Sequence, residues 1–456
     1  MPTPWLATLN ALFPKGVVAS DAETLKLHSG DAWFASTLPQ AVVFPRRAEE
    51  VGKLLRFANA RRIPVTARGA GRGYVGGCVP RRRGIVVSFA RMNRILEVNP
   101  VDGVGVVQPG VITGEFQSHV RRLGLLYPPD PASLKECSLG GNVATNAGGP
   151  RCLKYGVTRN YVLGLQVALA DGTLVRVGGR TMKNKSGFDL VGIFVGAEGL
   201  LGLVTEITLR LIPAPPSRAA LAASFFDAAA AAACVQRIFR EGFLPSALEI
   251  ADRFTLDAAR RHLGPGRLPA GDAHLLIEID GQTASVRSEV RELEEILRAG
   301  GALEINMAKT EVDCERLWDL RRQFSASLKA TGLTKLNEDI CVPRSRLVEL
   351  FNFAARLQKK HRVDVASFGH AGDGNIHVNI MADLSQPAVR KRAERALDDL
   401  FRQIIAWGGA ITGEHGIGIA KLPWWPQAAS PALRQLHGRI KVALDPKRIL
   451  NPGKFA

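Results

Sequence analysis

The chain has 456 residues, 46% of them apolar and 22% charged, with 46 glycines; that is too long for one hydrophobic core and describes two or three globular domains with many positions where a side chain is unwelcome. Its formal charge of +18 is spread along the chain, with Arg81-Arg82-Arg83 the densest run; with no zinc-finger spacing, RNA-binding signature or basic helix followed by heptads, it argues against nucleic acid and for small anions or acidic partner surfaces. No stretch reaches the ~18 apolar residues of a membrane span, and six cysteines without a C-x-x-C pair read as reduced thiols of a cytoplasmic protein, peripheral membrane contact through positive charge staying open.

From residue 39 to about 213 short apolar runs alternate with glycine turns: AVVFP, IPVTARGAG, GIVVSF, ILEVNP, GVGVVQPG, VLGLQVALADGTLVRVGG and GLVTEITLRLIP. With one helix candidate at Ala48 to Arg61, this pattern predicts an α+β domain with a twisted sheet. PAPPS at 213–217 breaks the rhythm, because proline suits neither helix interiors nor central strands, and it marks a domain boundary. Beyond it, ALAASFF, a helix capped by Asp227, SALEIAD, HLLIEID, a helix near Ala284 to Ala299 and ALEINMA give the ferredoxin-like order strand, helix, strand, strand, helix, strand. A helix-rich stretch follows from 311 to the end. The division expected is 1–214, 215–408 and 409–456.

Gly71-Arg72-Gly73-Tyr74-Val75-Gly76 is a literal G-x-G-x-x-G behind a strand, but the next residues lead into another strand and leave no room for the helix that a Rossmann turn requires. The loop can instead offer successive backbone N–H groups to a phosphate. Gly140 to Gly149 and Gly196 to Gly202 repeat the design, and three such loops in one domain exceed what turns need. Together they point to a large phosphorylated cofactor.

Six of the nine histidines sit singly among polar or loop residues, whereas His370, His377 and His415 are embedded in glycine. In GHAGDGNIHVNI (369–380), strand alternation puts His377 and Asn379 on one face, and the turn can fold His370 beside His377. Two imidazoles make half a metal site. Glu414, in TGEHGIG (412–418), is the best candidate to complete it, or else a surface acid beside a turn.

Seven motifs in order, PVTARGAGRGYVGG, PPDPASLKECSLGGNVATNAGGP, KYGVTRNYVLGLQVALADG, KSGFDLVGIFVGAEGLLGLVTEITLRLIP, GHAGDGNIHVNI, GEHGIG and LDPKRILNPGKF, resemble the FAD-linked oxidase family that includes D-lactate dehydrogenase, D-2-hydroxyglutarate dehydrogenase and the glycolate oxidase D subunit. The resemblance runs from about residue 20 to 456. It implies a two-lobed FAD domain of vanillyl-alcohol-oxidase type, a ferredoxin-like cap domain carrying the metal-site hairpin, and a helical C-terminal segment returning to the FAD domain.

By the family pattern Arg68, Gly69, Gly71, Arg72, Gly73 and Gly76 approach the pyrophosphate, and Ser133, Gly140, Gly141, Asn146 and Gly149 line the cofactor's path. Glu198, Gly199 and Val204 lie on the adenine side and Asn451 at the isoalloxazine end. Three departures stand out: Arg72 replaces a hydroxyl residue and offers phosphate a charge-assisted bond or points to solvent, and Ala197 and Leu200 replace Ser and Thr. No histidine lies in the first two loops, so FAD is expected to be noncovalent. His370, His377 and Glu414 would hold a divalent metal, usually zinc.

The implied reaction oxidises a D-2-hydroxy acid, with His415 as general base, Arg321 binding the substrate carboxylate and Asn379 adding a hydrogen bond. The lysine that D-2-hydroxyglutarate enzymes carry is here Asn337, with Lys335 two residues earlier, which favours D-lactate or glycolate. Rival readings are a D-2-hydroxyglutarate dehydrogenase, a noncatalytic FAD-binding subunit of an electron-transfer complex, and an ether-lipid synthase of the same fold. The electron acceptor is a quinone, a cytochrome, an electron-transfer flavoprotein or an iron–sulfur subunit, and a homodimer stays open.

Overall fold

The computed structural model describes residues 4–264 and 266–456. The chain divides into two compact units, one of Met1–Gly148, Val157–Ala214 and Glu414–Ala456, the other of Gly149–Gly156 and Pro215–Gly413. The proline-rich break thus falls at the division. The return to the first unit comes at Glu414, where 409 was expected, and an eight-residue excursion at 149–156 was not foreseen.

The first unit carries strands β1 (Val18–Ala19), β2 (Ala41–Val43), β3 (Val65–Arg68), β4 (Ile85–Ser88), β5 (Ile95–Asn99), β6 (Val104–Val107), β7 (Leu125–Leu126), β8 (Val162–Ala168), β9 (Leu174–Gly178), β10 (Leu203–Arg210) and β11 (Ile212–Pro213). They form a four-stranded sheet β1-β2-β4-β3, an antiparallel sheet β5-β6-β10-β8-β9 and the pair β7-β11. β2 and β3 both run parallel to β4, so the chain must cross over between them, and the helix Ala48–Arg61 is that crossover. Its Val51, Leu54, Leu55 and Ala58 join Val65, Ile85 and Val87 in one fully buried core. A loop, not a helix, leaves β3, which is why the literal G-x-G-x-x-G is no Rossmann turn.

The second unit holds one antiparallel seven-stranded sheet: β12 (Ser217–Phe225), β13 (Ala247–Ala251), β14 (Ala273–Gly281), β15 (Glu304–Ala308), β16 (Thr334–Cys341), β17 (Asp364–His370) and β18 (Asn375–Ala382), in the order β15-β12-β14-β13-β17-β18-β16. The first four have the ferredoxin-like arrangement, with helices Ala228–Arg240 and Thr283–Ala299 as expected and an unforeseen one, Arg253–Leu263, between β13 and β14. Asp227 caps its helix by accepting from the Ala230 N–H at 2.7 Å. The excursion 149–156 is held by three contacts to β14: Arg151 to buried Glu278 at 2.8 Å, and Lys154 and Tyr155 to Asp280 at 2.6 and 2.9 Å. All six cysteines are free thiols, and among the described residues no helix is long and apolar enough to cross a membrane.

Candidate functional site: a glycine cradle and a histidine hairpin

In the first unit the three glycine loops meet. A Cβ on Gly69 would lie 2.5 Å from the Ser138 Oγ and 3.3 Å from the Gly141 nitrogen, so the first loop can approach the second only without a side chain. The second and third are tied by backbone bonds from Gly196 N–H to Val143 O and from Glu198 N–H to Ala144 O, both 2.8 Å. Gly199, where φ is +69°, closes the ring against Ala67 of β3. A cradle this free of side chains suits an extended cofactor whose phosphates are met by backbone N–H groups.

Other expected cofactor residues are placed individually. Asn146 takes a left-handed conformation (φ 52°), and its Oδ1 accepts from the Arg159 N–H at 2.9 Å. Arg68 donates to the Gly30 carbonyl and approaches the Cys78 Sγ at 3.3 Å. Arg72 forms a surface ion pair with Glu136 at 3.0 Å, the two side chains being 51% and 55% exposed, so the solvent alternative describes it. Val204 sits in β10 opposite Val167, and Gly149 belongs to the excursion of the second unit.

Glu198 and Asn451 were expected at opposite ends of the cofactor, and the structure corrects this. Asn451 Nδ2 donates to the Glu198 carbonyl at 2.8 Å and to the Gly77 carbonyl at 3.0 Å, so the two residues are immediate neighbours. The Glu198 carboxylate is taken up by the N–H groups of Ile417 and Gly418, at 2.8 and 2.9 Å. Burial pushes its carboxyl pKa up, those two bonds opposing. Glu198 therefore fixes the loop that carries His415, whose ring packs at 5.4 Å, tilted by 33°, against Tyr74 of the first glycine loop.

In the second unit the hairpin forms as the alternation predicts. β17 and β18 pair with Phe368 opposite His377, and His370 two residues further along the same face. The imidazoles are diagonal neighbours with centroids 5.6 Å apart. On the far side of β18, Asp339 of β16 lies opposite His377, Asn337 opposite Asn379 and Lys335 opposite Met381. Asp339 accepts from the Thr412 hydroxyl at 3.1 Å and the Gly413 N–H at 3.0 Å, anchoring the chain one residue before Glu414. His370, His377 and Glu414 each offer a ligand atom, all within 4.8 Å of one another. Two imidazole nitrogens and a carboxylate oxygen are a donor set suited to a divalent cation with an open position.

Arg321, on the helix Glu311–Lys329, does not point into solvent as a bare surface residue would. It donates to Glu249 Oε2 with its Nε at 2.7 Å and its Nη2 at 2.5 Å, and its guanidinium lies 4.8 Å from the Phe368 ring centre. The other Glu249 oxygen meets His370 Nδ1 at 2.6 Å. Burial pushes the Glu249 carboxyl up, but the neighbouring His370 and Arg321 outweigh it and hold the pKa at about 2. Asn379 spends its Nδ2 on the carbonyls of Ala366 and His377, both 3.0 Å away, and only its buried Oδ1 is left without a hydrogen-bond partner among the described residues. It has no N–H left to give a carboxylate, contrary to expectation.

Sequence reasoning misses three residues. Glu249 stands inside the apolar run Ala-Leu-Glu-Ile-Ala, the one signal that could have marked it, but Glu278 in HLLIEID has the same pattern and serves Arg151, Arg218 and Trp318. Asp31 packs against Gly73, its buried Oδ2 without a hydrogen-bond partner among the described residues, and burial pushes its pKa up. Lys454 donates to the Gly76 carbonyl at 2.5 Å, and burial draws its pKa down to about 8.

An α+β unit built around a ring of glycine loops, with a separate unit bearing a buried His-His hairpin, defines an FAD-dependent oxidoreductase with the fold of the vanillyl-alcohol-oxidase type. Residues 39–178 match the FAD binding domain family and residues 214–455 match the family of FAD linked oxidases, C-terminal domain. The chain is 38% identical to the glycolate oxidase subunit GlcD of Bacillus subtilis (strain 168), over 92% of this chain and 89% of that one. It is 33% identical to a D-lactate dehydrogenase of Anaerostipes hadrus over 97% and 95%, and 32% identical to a D-2-hydroxyglutarate dehydrogenase of Stutzerimonas stutzeri (strain A1501) over 98% and 97%. A solved p-cresol methylhydroxylase superimposes with a TM-score of 0.78 at 19% identity, covering 99% of this chain and 96% of the other, which shows the shared fold. The chain belongs to the FAD-linked oxidase family and is an oxidoreductase of the 2-hydroxy acid dehydrogenase type.

Proposed function

We propose that the protein oxidises a D-2-hydroxy acid, D-lactate or glycolate, to the 2-oxo acid. The observation that carries this is the convergence of His370, His377 and Glu414, with an arginine bound to the same carboxylate as one of the histidines. The relatives named for glycolate and D-lactate support the substrate class. Bound FAD supplies the hydride acceptor, and a bound divalent metal, zinc by family resemblance, supplies the Lewis acidity that makes the substrate hydroxyl easier to deprotonate.

The chain's own groups do the rest. Arg321 keeps a guanidinium edge for the substrate carboxylate while Glu249 holds its other side. Asn379 ties the carbonyls of Ala366 and His377 through its Nδ2 and so holds the strand face that carries His377. His415 takes the hydroxyl proton; its ring is positioned by Tyr74, and its Nε2 lies 3.7 Å from a Glu414 oxygen. The FAD unit comprises residues 1–148 and 157–214 with the C-terminal segment from 414, and the other unit carries substrate recognition.

A second reading is a 2-hydroxy dicarboxylic acid, favoured by Lys335. This lysine is mostly buried, bonds Ser325 at 2.8 Å and shares the Phe368 ring with Arg321, its Nζ 6.0 Å from the centroid. Anaerobic mixing with D-lactate, glycolate, D-2-hydroxyglutarate and the L-enantiomers, with and without a chelator, tests both. Bleaching of the flavin band by a D-monocarboxylate, lost after chelation, is the expected result. Bleaching by the dicarboxylate alone would select the second reading, and a yellow protein that no 2-hydroxy acid reduces would end both.

A further inference from the structure

We infer that Glu249 is a positioning residue that serves the metal ligand His370 and the substrate anchor Arg321 with one carboxylate. The inference rests on the proposed roles of His370 and Arg321. β13 pairs with β17 so that Glu249 lies directly opposite His370. Both side chains are buried, at 1% and 5% exposure, and Oε1 meets His370 Nδ1 at 2.6 Å. An ionised carboxylate has no proton to give, so the bond requires the hydrogen on Nδ1 and leaves the Nε2 lone pair for a cation. Oε2 is engaged at 2.7 and 2.5 Å by Arg321, which turns the guanidinium and fixes the edge that remains for an anion.

Each oxygen has a different client, and glutamine can satisfy only one of the two. In Glu249→Gln one oxygen becomes an NH2 of nearly the same size. If the remaining oxygen serves Arg321, the NH2 faces His370, which must shift its hydrogen to Nε2 and stop ligating. If it serves His370, the NH2 faces a guanidinium that has only donors to offer, and Arg321 swings away. Either outcome removes one function from a folded protein, and exchange between them weakens both. The shared carboxylate also makes the two sites dependent on each other, which separate carboxylates would not do.

The test compares purified wild type and E249Q, both with FAD. Zinc affinity is measured by competition with a chromophoric chelator, and KM and kcat are measured for the best D-2-hydroxy acid. E249Q should bind zinc ~10–100-fold more weakly, the usual cost of removing a carboxylate behind a ligating histidine. Alternatively, where the amide oxygen stays with His370, KM at saturating zinc should rise at least ~10-fold, the loss expected for a weakened charge-assisted anchor, and exchange between the two orientations shifts both readouts, while the flavin spectrum stays unchanged. Zinc affinity and KM both within about twofold of wild type would overturn the inference, the threshold being well inside a single hydrogen bond's contribution. Wild type that binds no zinc would instead overturn the underlying functional reading. If E249Q does not fold, nitrogen NMR of histidine-labelled wild type, stripped of metal, decides: His370 should carry a hydrogen on Nδ1, and a neutral ring with hydrogen on Nε2 and none on Nδ1 would overturn the inference.

Discussion

Lys335 shows what burying a cation costs a single residue. Burial draws its pKa down to about 8, and Lys329 and Arg321 add to the effect, so the folded protein holds a proton there less willingly than an unfolded chain does. Below pH 8 both states are protonated and the cost is fully present, on the order of 3 kcal/mol by the linkage relation. Between about 8 and 10.5 the folded lysine releases a proton that the unfolded one keeps, so this residue makes stability rise with pH through that window. Lys335→Met keeps the volume and removes the charge. It should move the urea midpoint at pH 7 upward, equivalent to about 1–2 kcal/mol after loss of the Ser325 bond, and flatten the rise above pH 8. A lower midpoint at pH 7 would show that Lys335 is there for stability and not for an anion. Nothing in the sequence announces this, since there Lys335 is only a lysine two residues away from the expected position. Yet the strand alternation that puts Lys335, Asn337 and Asp339 opposite Met381, Asn379 and His377 makes that displacement a step along one face of β16.

At the scale of elements, the hairpin 364–382 was legible because its strands alternate and its turn is dense in glycine, two signals that act locally. What was hidden is the register with β13 and β16, which comes from strands some 40 to 120 residues away in sequence and decides that Glu249 and Asp339 flank the histidines. The turn itself depends on Gly374, where φ is +84° and a Cβ would collide with the Val342 carbonyl. Gly374→Ala should lower stability by about 1–3 kcal/mol through left-handed strain and that collision. It should also weaken zinc binding, since Gly374 donates to the His370 carbonyl at 3.1 Å, while leaving the flavin spectrum intact. Chelator competition and a denaturation midpoint on the same preparation check it; an alanine variant with wild-type stability would mean the turn can relax in ways its tight backbone does not suggest. The glycine loops were legible for the opposite reason to their pairing: three glycine runs point to a ligand, but only the folded chain shows Gly69 against Ser138 and Glu198 bonded to Ala144, and that contact placed Glu198 beside Asn451 instead of across the cofactor.

At the scale of the whole molecule, the +18 charge has no counterpart in the chemistry of a small monoanionic substrate, which one arginine suffices to bind. Internal ion pairs cannot absorb it: 60 cationic residues face only 42 acidic ones, so even one-to-one pairing leaves 18 positive charges unmatched. Electrons taken from the substrate must leave, and a cationic surface raises the encounter rate with an acidic carrier by long-range attraction that salt screens. The acceptor is then expected to be an acidic protein, and the prediction separates it from a small uncharged quinone. With the flavin reduced anaerobically, the second-order rate of electron transfer to an acidic flavoprotein or cytochrome should fall ~10-fold or more as the ionic strength rises from about 0.02 to 0.5 M, where the screening length shrinks from roughly 20 to roughly 4 Å. Reduction of an uncharged quinone by the same preparation should change less than about twofold, because no charge on the acceptor is there to be screened. Equal salt dependence for both acceptors would assign the effect to the flavin site, and a rate to the acidic protein that does not respond to salt would leave the surface charge without a role in electron transfer.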